Sequence, residues 1–294
     1  MRSSFKPVDT LSLSLIALLS VVAAVFNRSL PSWDWLIIRY ALLALVIISV
    51  ALYTAGSQKG RFALYVHAFL PVFIIPVIFD SLGDLIPLIW PRYTDDILIN
   101  IDRVLFGVNP TVWMERFIHP MLTNFLQLAY ISYYFIPISL GIVLAARKRQ
   151  KDFDEAVFGI VLCFYLSYIG YMLFPAIGPR FTLDHLQTTG FQASPMALAI
   201  QHALNRLENT KTDAFPSGHT AVALMTLYYA RNLRENVLFW ILLPVVSALV
   251  ISTVYLRYHY VIDVIAGVLL SAFTIYLAPW IYKALSPSSV KSHD

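Results

Sequence analysis

The chain of 294 residues is 59% hydrophobic and only 13% charged, about half the charged fraction of an ordinary soluble domain, which excludes a soluble globular protein and indicates a polytopic membrane protein. Its formal net charge of +4 comes without a basic stripe interleaved with stacking aromatics, so no nucleic-acid partner is expected and Lys and Arg instead mark cytoplasmic loops. The one cysteine, Cys163, lies in an apolar run and excludes an internal disulfide or a cysteine-based zinc site.

Arg2 and Lys6 precede the first apolar run in the manner of a signal peptide, but no small-x-small cleavage site follows, so the run is read as a span. Near the roughly 20 residues a bilayer requires, candidate spans are Leu11–Phe26, Trp35–Thr54, Phe62–Phe79, Phe125–Ala146, Ala156–Phe174, Ser217–Ala230, Val237–Tyr255 and Val261–Tyr282. The expected fold is all-α, a polytopic membrane helix bundle of about eight transmembrane helices forming one membrane domain, 1–294, with no internal repeat and a short disordered tail over Ser286–Asp294. With both termini cytoplasmic, 12 of the 21 Lys and Arg residues fall in inner segments, and the densest run, Arg147-Lys148-Arg149-Gln150-Lys151, occupies a short inner loop. His219 opens the sixth span and His259 follows the seventh, so this parity places both on the extracytoplasmic face, joined by the outer segment Pro175–Pro216. The other outer segment, Pro91–Asn124, carries Asp95, Asp96, Asp102, Arg103, Trp113 and Arg116 among apolar residues. It reads equally as an interfacial helix on the lipid surface or as a packed connecting loop.

Two stretches can carry chemistry. In Arg257-Tyr258-His259-Tyr260-Val261-Ile262-Asp263, His259 and Asp263 are four apart and share a face if the eighth helix begins near His259. A carboxylate there can fix the imidazole tautomer and leave the other ring nitrogen to attack. The structural alternative is a His-Asp helix cap within an aromatic girdle of Tyr255, Tyr258 and Tyr260. In Phe215-Pro216-Ser217-Gly218-His219-Thr220, Ser217 suits an N-cap and Gly218 permits close approach of an anion to the backbone. His219 in the first turn can give a proton to a leaving oxygen; a plain helix cap is again the alternative. Arg180 and Arg257 flank these stretches, and guanidinium forks match the equatorial oxygens of a transferring phosphoryl group. His67 reads as a hydrogen-bonded core residue, and His119, His185 and His202 lack a second ligand at metal spacing, so no metal site is expected.

Phe-Pro-Ser-Gly-His-Thr, followed about forty residues on by His-x-x-x-Asp, resembles the type 2 phosphatidic acid phosphatase superfamily, whose soluble relatives include vanadate haloperoxidases. The run from Tyr255 to Gly267, and Asp96–Pro110 with Asp102-Arg103-Val104-Leu105-Phe106-Gly107, look closer to the branch of the inositol phosphorylceramide synthases and their bacterial relatives. The resemblance implies a phosphatase-like core over 62–282 with a two-span extension, 1–61, and a lipid phosphate as substrate, with neither metal nor other cofactor. By position it implies that His259 is a nucleophile forming a phosphohistidine, Asp263 its orienting partner and His219 the acid, with Ser217 and Gly218 holding phosphate oxygens. The chain departs from the family where a Lys is usually followed seven residues on by Arg-Pro, and where Ser-Arg usually opens the last signature; here stand Phe174-Pro175-Ala176-Ile177-Gly178-Pro179-Arg180 and Ser252-Thr253. Arg180 and Arg257 are the candidate replacements. Discharge of the intermediate to water would make a phosphatase and discharge to an alcohol a transferase, while a transporter would instead show mid-span charges in the halves of an inverted repeat.

Overall fold

Backbone N–H and C=O groups in a bilayer have no water to bond, so long apolar runs must satisfy them internally and become helices. The computed structural model describes residues 5–28, 33–55, 61–90, 92–190, 194–195 and 210–286; the tail beyond 286, His202 and His293 lie outside them. Helices α1 (Pro7–Val25), α2 (Trp33–Thr54), α9 (Gln150–Leu173), α12 (Asn236–Tyr255) and α13 (Val261–Leu285) are each long and apolar enough to cross a membrane, as is the stretch Tyr65–Ile89. That stretch joins the end of α3 (Arg61–Phe69) to α4 (Pro71–Ile89), and it continues ten residues past the predicted end at Phe79. Among the described residues there is no strand; Ala176 and Asp213 form an isolated parallel bridge.

Two predicted spans are not simple rods. The fourth starts at Pro120 and is broken: α7 (Pro120–Ile131), a 3₁₀ turn over Ser132–Tyr134 and α8 (Ile136–Ala146) meet at a 50° bend. Pro137, at the start of α8, has no N–H to offer the preceding turn, which accounts for the break. The sixth, α11 (Gly218–Asn232), has only 15 residues, about 22 Å of rise against a hydrocarbon core of about 30 Å. It packs against α8, α9, α12 and α13, and buries Ala221, Val222, Ala223 and Met225.

The segment left open between interfacial helix and loop contains a helix, α5 (Asp95–Phe106), followed by the short α6 (Pro110–Trp113). Asp95, Leu98 and Asp102 of α5 are buried, while Ile97, Val104, Leu105 and Phe106 are exposed. One face is therefore turned to the protein and an apolar face away from it. Spacing of three and four places the buried residues together.

The bundle has two distinct ends. At one, Arg147 and Arg149 grip the buried Glu235 at 3.1 and 2.7 Å, and Lys6 reaches Asp154 at 2.8 Å. His67 joins α3 to both N-terminal helices there, with Nε2 2.9 Å from either Asp9 carboxylate oxygen and Nδ1 2.7 Å from Thr54 Oγ1. It is a satisfied core residue, as its sequence context indicates. On the partly exposed flank of the bundle, Arg39 clips α2 to Asp80 of α4 at 2.9 Å. At the opposite end gather the C-termini of α9 and α12, the N-termini of α11 and α13, and α5.

Candidate active site

His259 is carried by a chain reversal and His219 by the first turn of a helix. At the end of α12, the N–H groups of Tyr258 and His259 both donate to Thr253 O, at 2.9 and 3.0 Å. Arg257 takes φ +65° to make this reversal, a left-handed conformation that glycine usually fills at a helix C-terminus. His259 lies outside α13, whose N-cap is Tyr260. Asp263 Oδ2 caps that helix by accepting the Tyr260 N–H at 2.8 Å, and Asp102 accepts the next two, from Val261 and Ile262, at 2.9 and 2.8 Å. Ser217 caps α11, its Oγ accepting from Thr220 N–H at 3.3 Å, so His219 falls in the first turn.

The imidazoles meet directly: His259 Nε2 is 3.3 Å from His219 Nδ1. His259 Nδ1 lies 2.7 Å from Ala214 O and 3.5 Å from Asp263 Oδ2. A carbonyl oxygen only accepts, so Nδ1 carries the proton and Nε2 of the neutral ring is the free base. The group expected to fix this tautomer was Asp263; the short bond comes from Ala214 instead, because the Asp263 carboxylate is drawn to the helix N-terminus. Asp263 is fully buried, and its Oδ1 has no hydrogen-bond partner among the described residues. The same holds for His219 Nε2, which lines an apolar cavity.

The other expected site residues are placed differently from one another. Arg180 stacks over the Tyr258 ring at 4.8 Å and its charge acts on both histidines. Arg257 Nη2 donates to Glu115 Oε1 at 2.9 Å and to Thr189 O at 2.7 Å, a buried ion pair that anchors the reversal. Ser217 Oγ is engaged by Thr220, and the Tyr171 hydroxyl occupies the space where a Gly218 Cβ would stand. The close approach that Gly218 permits is therefore made by a tyrosine.

Several contributors carry no motif that the sequence could flag. Tyr130 and Tyr133, beside the break between α7 and α8, hold the His219 ring at centroid distances of 4.7 and 4.3 Å, and Tyr130 stacks on Tyr258 at 4.3 Å. Arg180, Tyr258, Tyr130, His219 and Tyr133 thus form a continuous stack. Tyr255, Tyr258 and Tyr260 are buried rather than forming a girdle. Asp95 accepts from Ile177 N–H at 3.0 Å, Gly178 N–H at 2.9 Å and the Tyr260 hydroxyl at 2.9 Å, tying the Arg180 loop to the His259 loop. At Gly178, with φ +86°, a Cβ would lie 2.6 Å from Tyr258 O, so the two loops approach as only glycine permits. Asp213 lines the cavity beside His219, and its carboxyl is raised by burial and lowered by His259 and Arg180. Among the described residues no group of three His, Cys, Asp or Glu side chains could hold a metal ion.

Burial pushes the His259 imidazole down to about 4; Asp213 and the Ala214 carbonyl pull it upward and Arg180 adds to the depression. Two results are expected. The acid limb of kcat/KM, which reports the free enzyme, falls well below the ordinary histidine value, and Asp213→Asn shifts it lower still by removing the anion that favours the charged ring. Between about pH 4 and 6.5 the unfolded chain binds the proton that folded His259 refuses, so His259 stability is lost as pH falls through that window, by about 3 kcal/mol. An acid limb centred at 6.5, unmoved by Asp213→Asn, contradicts this account.

The model described as PAP2 superfamily matches residues 96–277, more than half of the chain. A PA-phosphatase related-family protein of Dictyostelium discoideum is 25% identical over 184 residues, a match covering 55% of this chain and 33% of that protein. The chain therefore spans about a third of the length of the curated relative it matches. No solved structure matches it.

Proposed function

Because the chain belongs to the PAP2 superfamily, we propose that it is an integral-membrane phosphatase or phosphotransferase that cleaves a lipid phosphate ester or diphosphate through a phosphohistidine. The observation that carries this reading is the pair of buried imidazoles in contact at 3.3 Å, one of them with its Nδ1 proton fixed by a carbonyl. Family membership supports phosphatase-type chemistry on a lipid phosphate, and six long apolar helices support a protein resident in the bilayer.

In this mechanism a phosphoryl group takes the place of the His259–His219 hydrogen bond. His259 Nε2 forms a bond to phosphorus as the bond to the lipid alkoxide or phosphate oxygen breaks. His219, protonated, gives its proton to that departing oxygen. Water or an alcohol then attacks, the P–N bond breaks, and the proton of the attacking hydroxyl passes to His219. Arg180 supplies positive charge to the equatorial oxygens, while Arg257, Ser217 and Gly218 act by shaping the loop and helix start that present the histidines. Asp263 sits where it can offset the positive charge that His259 gains on phosphorylation.

The 1–294 chain works as one membrane unit, with 1–61 added to a core over 62–282. The site lies at the end opposite the Arg147–Lys151 run, which the positive-inside rule assigns to the cytoplasm; the reaction is extracytoplasmic. A transferase of the inositol phosphorylceramide synthase kind is the second reading, favoured by the burial of His259 at 2% exposure, which keeps bulk water from the intermediate.

The test is rapid quench of the purified protein with ³²P-labelled lipid phosphate. Label held on a histidine and then released as orthophosphate is expected; added inositol diverting label into a new ester identifies a transferase. Label on any other residue type overturns the mechanism.

A further inference from the structure

An apolar cavity of about 260 Å³ opens from His219 and Asp213 and continues between α4 and α8 along α9. Its lining includes both Tyr171, beside the site, and Phe153, near the start of α9. These lie eighteen positions apart on one helix, about 27 Å of rise. A hydrocarbon core of about 30 Å gives a leaflet depth of about 15 Å, so the lining extends along the helix for more than one leaflet's depth. Its far end is closed by Phe69 and Phe153, packed edge to face at 5.5 Å over Gly141. Its side is a window: Val72 and Pro76 of α4 and Tyr134 beside α8 line it and are also exposed. His219 Nε2, which has no hydrogen-bond partner among the described residues, stands at its head.

We infer that this cavity seats the apolar chain of the substrate, that Phe69, Gly141 and Phe153 form its floor, and that the preferred substrate is a lipid phosphate whose chain is longer than one leaflet is deep. The inference rests on the phosphohistidine reading, since the phosphate must sit at His219 for the chain to run down α9. A chain moving from lipid into this cavity gains no hydrophobic transfer energy, because both surroundings are apolar. Discrimination must come from fit against the floor, the kind of contact that separates chains differing by a methylene by about tenfold or more.

The experiment measures kcat/KM for n-alkyl monophosphates of rising length in mixed micelles, with phosphatidate of leaflet-length chains as comparator. For the wild type, kcat/KM is expected to climb beyond leaflet length and exceed that for phosphatidate at least about tenfold. Phe153→Ala, which lowers the floor, moves the optimum to longer chains; Gly141→Leu, which raises it, moves the optimum to shorter ones. If one variant does not fold, the other still gives a directional result. Rates that level off at leaflet length, or an optimum unmoved by the variant that folds, overturn the inference and leave the catalytic reading standing. No cleavage of any of these phosphates, or of the corresponding n-alkyl diphosphates, by folded wild type overturns both.

Discussion

His259→Ala is expected to lower turnover of a lipid phosphate by about 10³-fold or more, the scale on which loss of a nucleophile acts when its partners remain, and to abolish labelling of the protein. The physical reason is local. His259 Nε2 is the base freed by the Ala214 bond, and no other described imidazole stands in contact with His219. The ring makes few bonds that hold the bundle together, so thermal unfolding in detergent should change little and the loss can be assigned to chemistry. His219→Ala should also slow turnover, yet leave label trapped on His259, because loss of the acid does not remove the attacking nitrogen. Near-normal turnover by a folded His259→Ala protein ends the phosphohistidine proposal.

The second large effect is expected far from either motif. Asp95→Ala strands the N–H groups of Ile177 and Gly178, which the carboxylate now satisfies, and takes one of two partners from the Tyr260 hydroxyl, which keeps the Thr182 hydroxyl. Leaving buried donors unpaired costs about 1–3 kcal/mol each, so a loss of roughly 3–5 kcal/mol and a clear fall in Tm are expected. Turnover should fall about 10²-fold as well, since the residue couples the Arg180 loop to the His259 loop and small misplacements at a reacting centre have effects of that size. Asp95→Asn retains one acceptor oxygen and should recover part of both losses. An Asp95→Ala protein with wild-type Tm and turnover would show that the bonds from α5 do not position the site.

The class of the molecule was legible because it depends on local chemistry. A long apolar run must close its own backbone hydrogen bonds in lipid, so α1, α2, α9, α12 and α13 follow from hydropathy alone, with boundaries shifted by a few residues. Ser217 and Asp263 reveal themselves as helix starters for the same reason, their partners being three residues away. Proline also signals locally, but it does not say whether a span bends or ends; the structure shows a 50° bend before Pro137, beside Tyr133, whose ring packs on His219.

The residue order by itself determined that His219 and His259 emerge at one end of a helical bundle, since counting spans needs only hydropathy and parity. Only the tertiary structure decided that their rings touch, that Ala214 rather than Asp263 holds the His259 proton, that Arg257 pairs with Glu115, and that Asp95 and Asp102 secure the loops from α5. These partners stand 40 to 165 residues apart along the chain. Periodicity governs which face a residue occupies within its own helix; which distant group that face meets is chosen by packing, where each buried donor and acceptor must find a partner among whatever the other helices present.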